Sequence, residues 1–107
     1  MIHPDQSAFR ALADPTRREI LRILMDRDQT ITEVAERFEI TRPAVKKHLK
    51  VLEDGALITV TARGRERINH LNPEGFRPVL DWLGFFDRFW TGHLADLKSA
   101  IEKDTDQ

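Results

Sequence analysis

Apolar residues recur every three or four positions through the first half of the chain, then every second position, then every three or four again. Such changes of period mark changes of element, because a helix buries one face in steps of three and four and a strand alternates. In "QSAFRALA" the residues Ala8, Phe9 and Leu12 share one side, which predicts a short first helix. Asp14-Pro15 then restarts the chain. Asp14 can accept hydrogen bonds as N-cap, and Pro15 suits the first helical turn, where its missing N–H has no intrahelical partner. "TRREILRILM" puts Ile20, Leu21 and Leu24 on one face and Arg17, Arg18 and Arg22 outside, so a second helix is expected over residues 15–26. After the polar "DRDQ", Thr30 and Glu33 have capping-box spacing. Ile31, Val34, Ala35 and Phe38 form the stripe of a third helix.

A fourth helix begins at Thr41, after the tight turn "EI". In "TRPAVKKHLKVLEDGAL" the side chains Val45, Leu49 and Leu52 fall on one side of a helical wheel. Pro43, Lys46, Lys47 and Lys50 fall on the opposite side. Thr41 is the expected N-cap, its hydroxyl bonding the N–H of Ala44, and Gly55 the expected left-handed residue that ends the helix. The period then shortens. "LITVTA" and "ERINHL" predict a β-hairpin turning at Arg63-Gly64. From Phe76 the apolar residues Leu80, Leu83, Phe86, Trp90, Leu94, Leu97 and Ile101 follow in steps of three and four. Their mean spacing is about 3.5 residues, the coiled-coil period, and predicts one long helix over about 74–103. The fold class expected is mainly α with a small β-hairpin: a winged helix-turn-helix of about five helices and a two-stranded wing, filling residues 1–107 as a single domain.

Charge sharpens the picture. The chain of 107 residues has a formal net charge of −1, which by itself selects no partner. Its distribution is uneven. Residues 1–40 are net −2 and residues 71–107 net −3, whereas residues 41–70 are net +4 through Arg42, Lys46, Lys47, Lys50, Arg63, Arg65 and Arg67. A helix with a cationic outer face, followed by an arginine-tipped hairpin, offers two contacts to one polyanion. The helix N-terminus adds a partial positive charge. Double-stranded DNA is the partner that fits, with the lysines and Arg42 within reach of phosphates and guanine edges. An acidic protein surface would explain the charge equally well, though not the order of helix-turn-helix and wing.

Other chemistry finds little support. There is no cysteine, which excludes disulfides and thiolate sites and fits a reducing, cytoplasmic compartment. No 18-residue apolar stretch is present, so no membrane span is expected. Neither Ser7 nor Ser99 stands near a His with an orienting carboxylate, and no glycine-rich phosphate loop occurs, so the protein is not expected to be an enzyme. No cofactor is expected. His3 and His70 are isolated in the sequence, and His48 lies at the edge of the buried face of its helix, suited to packing or a phosphate hydrogen bond. The aromatic residues Trp82, Phe85, Phe86, Phe89 and Trp90 read as interface core, with a small apolar effector between long helices as the other use of such a cluster.

The segments "FRALADPTRREILRIL", "ITEVAERFEITRPAVKKHLKVLEDGALI" and "RGRERINHLNPE" resemble, in order and spacing, the winged-helix repressors of the ArsR/SmtB family. The resemblance covers nearly the whole chain. It implies a homodimer built by the N- and C-terminal helices, with Phe9, Leu83, Phe86, Trp90, Leu94 and Leu97 at the interface. It also implies two recognition helices in successive major grooves of a palindromic operator. The recognition surface carried over is Thr41, Arg42, Pro43, Ala44, Lys46, Lys47 and Lys50, and the wing is Arg63, Gly64 and Arg65. Lys46 departs from the serine common in the family, so the base sequence read is this chain's own. The family's metal sites do not carry over. "TEVAERF" has no thiolate. His93 and Asp96 form half of the long-helix site, but Trp82 and Leu80 stand where the other half needs ligands, so no metal is expected. Two further readings stay open: a winged helix that binds protein, and a repressor of this fold that responds to a metal or small molecule.

Overall fold

The described residues of this computed structural model are 4–105, without the side chains of Pro4, Asp5, Trp90, Leu94, Asp104 and Thr105. Six helices and three strands follow in the order α1 (Pro4–Leu12), α2 (Pro15–Asp26), β1 (Gln29–Thr30), α3 (Ile31–Arg37), α4 (Arg42–Asp54), β2 (Ile58–Arg63), β3 (Glu66–Leu71), α5 (Arg77–Gly84) and α6 (Asp87–Thr105). A 3-10 turn, Pro73–Phe76, leads into α5.

The expected N-caps are all in place. Asp14 accepts from the N–H of Thr16 at 2.8 Å and of Arg17 at 3.2 Å. The capping box of α3 is complete: the Glu33 N–H donates to the Thr30 hydroxyl at 3.1 Å, and the Thr30 N–H to the Glu33 carboxylate at 2.9 Å. Thr41 accepts from the N–H of Ala44 at 3.3 Å. Each satisfies N–H groups that the helix leaves without an intrahelical partner.

Ile20, Leu21 and Leu24 of α2, Val34 of α3, and Val45, Leu49 and Leu52 of α4 make the centre of the core, closed on one side by Ala8 and Ala11 of α1 and on the other by Leu57 and Ile58. α2 is less one-sided than its pattern implies. Arg17 is half-buried rather than outside, because its guanidinium turns back onto α1.

At the end of α4 the left-handed residue is Ala56, with φ 62°, and not Gly55, whose φ is −82°. Glycine at 55 answers a different need. A Cβ there would stand 2.8 Å from the Ser7 carbonyl oxygen and 3.2 Å from the Ala11 Cβ, so its absence lets α1 lie directly on the helix end. Ala56 accepts a strain of roughly 1 kcal/mol to make the turn.

The sheet has three strands rather than the hairpin's two, in the order β1-β3-β2, all antiparallel. β1 pairs Gln29 with Asn69 and Thr30 with Ile68. The buried Asn69 side chain donates to the Gln29 carbonyl at 3.1 Å. In the hairpin Arg63 pairs with Glu66, leaving Gly64-Arg65 as a two-residue turn, one position later than the pattern predicts. Gly64 has φ 64° and Arg65 does not have a positive φ. That is the type II′ arrangement, whose twist matches the strands.

The single long C-terminal helix is not formed. It breaks at Phe85-Phe86 into α5 and α6, with Phe85 and Phe86 N–H groups bonding three residues back to Trp82 and Leu83. Gly84 sits at the break, where glycine weakens a helix by about 1 kcal/mol relative to alanine. The Cα radius of gyration is 17.2 Å, against about 13 Å for a compact chain of this length, because α6 projects from the body.

Candidate nucleic-acid interface

The recognition surface begins with how α4 is held. Val45, Leu49 and Leu52 are buried at 0%, 5% and 0% exposure, so one face is fixed in the core. Thr41, Arg42, Pro43, Lys46, Lys47 and Lys50 are exposed on the other, and Ala44 is half-buried between them. Lys50 reaches Asp54 at 3.1 Å, one helical turn on, an exposed pair of little energetic weight. Arg63, Gly64 and Arg65 are exposed at the hairpin tip.

Tertiary structure joins these two surfaces. A groove of about 800 Å³ runs between the start of α3, the outer face of α4 and the hairpin. Arg42, Lys46 and Lys50 line one wall and Arg65 and Arg67 the other. Lys47, Arg63, Thr41, Pro43, Ala44 and Gly64 stand outside that lining, on the surface flanking it. Arg67 is the basic groove residue that the expected recognition helix and wing do not include. It lies two residues from Asn69 on β3, and both line the groove, as residues on one strand face do. Their shared face becomes a signal only once the hairpin's register is known.

Glu33, Glu53 and Glu66 also line the groove. The Thr30 N–H and hydroxyl hold the Glu33 carboxyl below its ordinary value of 4.5, so it is charged near neutrality. A polyanion laid here is attracted along the arginine and lysine walls and repelled at these three points, which restricts its path.

Two buttresses fix the parts. The Arg17 guanidinium donates through Nε to the Ala11 carbonyl at 2.8 Å and through Nη2 to the Arg10 carbonyl at 3.0 Å; Nη1 lies 3.3 Å from His48 Nδ1 on α4. Arg18 donates to the Leu12 carbonyl at 2.7 Å. Desolvation in this corner pushes the Asp14 carboxyl up. The N–H groups of Arg17 and Thr16, with the charge of Arg17, outweigh it and hold the carboxyl below its ordinary value. On the wing, His70 is not isolated. Its Nδ1 is 2.9 Å from the Asp28 carboxylate and its Nε2 is 2.7 Å from the Thr61 hydroxyl, tying both hairpin strands to the connector before β1.

The residues assigned to an interface between copies divide. Phe9 is half-buried against the same chain, edge-to-face with Trp82 at 5.9 Å, and Trp82 meets Phe86 at 5.2 Å. Leu83, Phe86 and Leu97 are exposed at 37%, 39% and 57%. Trp90 and Leu94 have side chains outside the described residues. His93 stacks on Phe89 at 4.3 Å and its Nδ1–H donates to the Phe89 carbonyl at 3.1 Å. Among the described residues no three His, Cys, Asp or Glu side chains gather as a metal site would require, and no helix is long and apolar enough to cross a membrane.

Comparison with known proteins bears on the same elements. A helix-turn-helix domain family matches residues 12–61, from the end of α1 into β2. The HTH-type transcriptional regulator Rv2034 of Mycobacterium tuberculosis is 37% identical over 103 residues, covering 96% of this chain and 92% of that protein. The transcriptional repressor SdpR of Bacillus subtilis is 32% identical over 77 residues, covering 72% of this chain and 86% of its own length. A crystal structure of an ArsR family transcriptional regulator superposes with a TM-score of 0.75 at 34% identity, over 84% of this chain and 99% of that one.

Proposed function

Since this chain belongs to the ArsR family of winged helix-turn-helix transcriptional regulators, we propose that it is a homodimeric repressor of a palindromic operator. The observation that carries the reading is the single groove in which Arg42 and Lys46 of α4 face Arg65 and Arg67 of the wing. A DNA strand following that groove meets phosphate contacts on both sides, which supply salt-dependent affinity. The outer face and first turn of α4, with Thr41, Arg42, Pro43, Ala44, Lys46 and Lys47, discriminate bases in the major groove. Lys50, engaged with Asp54, serves the backbone, as do Arg63, Gly64 and Arg65 at the wing tip.

The residues of α5 and α6 join two copies through Leu83, Phe86 and Leu97. This sets the two recognition helices about 34–36 Å apart, one turn of DNA. N- and C-terminal helices would thus serve dimerisation within one domain that also binds DNA, acting in the cytoplasm. Among the described residues no metal-sensing set gathers, and repression in this reading needs no metal and no cofactor.

The test compares Lys47→Ala with Arg65→Ala by fluorescence anisotropy, using the duplex that wild-type protein enriches from a randomised pool. Lys47→Ala is expected to lose about 1–3 kcal/mol on that duplex and to relax its preference, while Arg65→Ala weakens every duplex alike. Equal binding by wild type and both variants would refute the DNA reading.

A further inference from the structure

We propose that Arg17 is a positioning residue for sequence reading: through His48 it sets the rotation of the recognition helix relative to α1. The proposal rests on the DNA reading above and concerns what aims the helix that reads.

The apolar contacts of Val45, Leu49 and Leu52 turn one face of α4 to the core and so set its rotation coarsely, but burial is non-directional and leaves the last few tens of degrees to directional contacts. A roll of about 20° moves side-chain ends by about 2 Å on a helix whose radius with side chains is about 5–6 Å. Base recognition tolerates about 0.5 Å. A directional contact on the flank of α4 is therefore needed, and His48 supplies it. His48 is half-buried, between the anchored and the cationic faces. Arginine has no acceptor, so His48 Nδ1 accepts from the guanidinium and the ring proton sits on Nε2.

The other two arms of the fork end on the carbonyls of Arg10 and Ala11. α1 is in turn locked to α5 by the Phe9–Trp82 contact. One planar group thus refers the direction of α4 to the helix that carries the C-terminal arm. Lysine cannot replace it, because a single ammonium on a flexible stem does not hold three fixed directions.

The experiment measures, at one salt concentration, the affinity for the enriched duplex and for a random-sequence duplex of equal length. The variants are His48→Leu, His48→Gln and Arg17→Lys, each checked for sedimentation mass and melting temperature. His48→Leu and Arg17→Lys are expected to lose about three- to tenfold of the preference for the enriched duplex, the worth of one such hydrogen bond. Random-duplex affinity should stay within twofold of wild type, and the sedimentation mass should be unchanged. Glutamine, which can accept through Oε1, should restore most of the preference. A purely structural role would lower the melting temperature and leave the preference intact. The proposal fails if the preference is unchanged in His48→Leu, if both duplexes weaken together, or if glutamine is no better than leucine. Should Arg17→Lys not fold, the leucine–glutamine pair decides alone. If wild type itself prefers no duplex, the DNA reading falls and this proposal with it; an intact wild-type preference with unaffected variants overturns only the link through Arg17.

Discussion

The body of the protein and its C-terminal arm have similar apolar content and opposite fates. Between Ala8 and Ile58 eleven apolar residues are buried in one core, and Phe76 and Val79 still pack against it. From Leu80 to Lys103 every described side chain is exposed, among them Leu80 at 63%, Phe85 at 84% and Leu97 at 57%. The body finishes its core with its own chain. The arm carries the residues of a core and leaves them largely exposed, and exposed apolar side chains gathered in this way mark an interaction surface. In the proposed dimer that surface is covered by its symmetric copy, which would offset the helix-weakening Gly84 of α5 and Gly92 of α6.

Leu97→Asp should break this contrast most strongly. A twofold axis doubles the loss of one buried leucine and adds two charges to the interface. The expected cost is about 3–6 kcal/mol in dimerisation, with the sedimentation mass falling to that of one chain. Far-ultraviolet circular dichroism should still report a folded body. An unchanged mass would show that the arm is not the interface.

Leu52→Ala probes the other side. Leu52 is fully buried in the body, so the substitution should cost about 2–5 kcal/mol in chemical denaturation while leaving the mass of the remaining folded protein that of the wild-type assembly.

The smallest effect concerns acid. The Glu33 carboxyl is held below its ordinary value of 4.5, first by the Thr30 N–H and then by the Thr30 hydroxyl. A depressed folded-state value stabilises the fold above pH 4.5, and that contribution is lost as the pH falls through the folded value. Glu33→Gln keeps an acceptor without a charge, so its melting temperature should fall less than that of wild type between pH 7 and pH 3. Equal falls would remove Glu33 from the acid response.

Much of the body is legible in the sequence because its signals are local. Asp14, Thr30 and Thr41 announce helix starts by short-range hydrogen bonds, and the 3.6-residue spacing of Ile20, Leu24, Val45, Leu49 and Leu52 identifies what is buried. The cationic face of α4 follows from the same wheel. Where the sequence reading failed, the cause was spatial. A two-residue strand such as β1 has no period to detect, and it exists because β3 has a free edge beside it. Gly55 announces a left-handed turn by its type, yet its use is the close approach of Ser7. Heptad spacing continues through Gly84, while the backbone turns at Phe85-Phe86, where both N–H groups bond three residues back instead of four.

The sequence by itself therefore determined the helices of the body, their caps, the buried stripe of α4 and the clustering of charge in residues 41–70, all consequences of interactions within a few residues. Only the tertiary structure decided that Arg42 and Lys46 share a groove with Arg65 and Arg67, that Arg17 meets His48 across 31 residues of chain, and that His70 joins Asp28 to Thr61. Those meetings depend on how α1, α2, α4 and the hairpin pack, and packing directions are set by contacts between segments far apart in sequence, which no local pattern encodes.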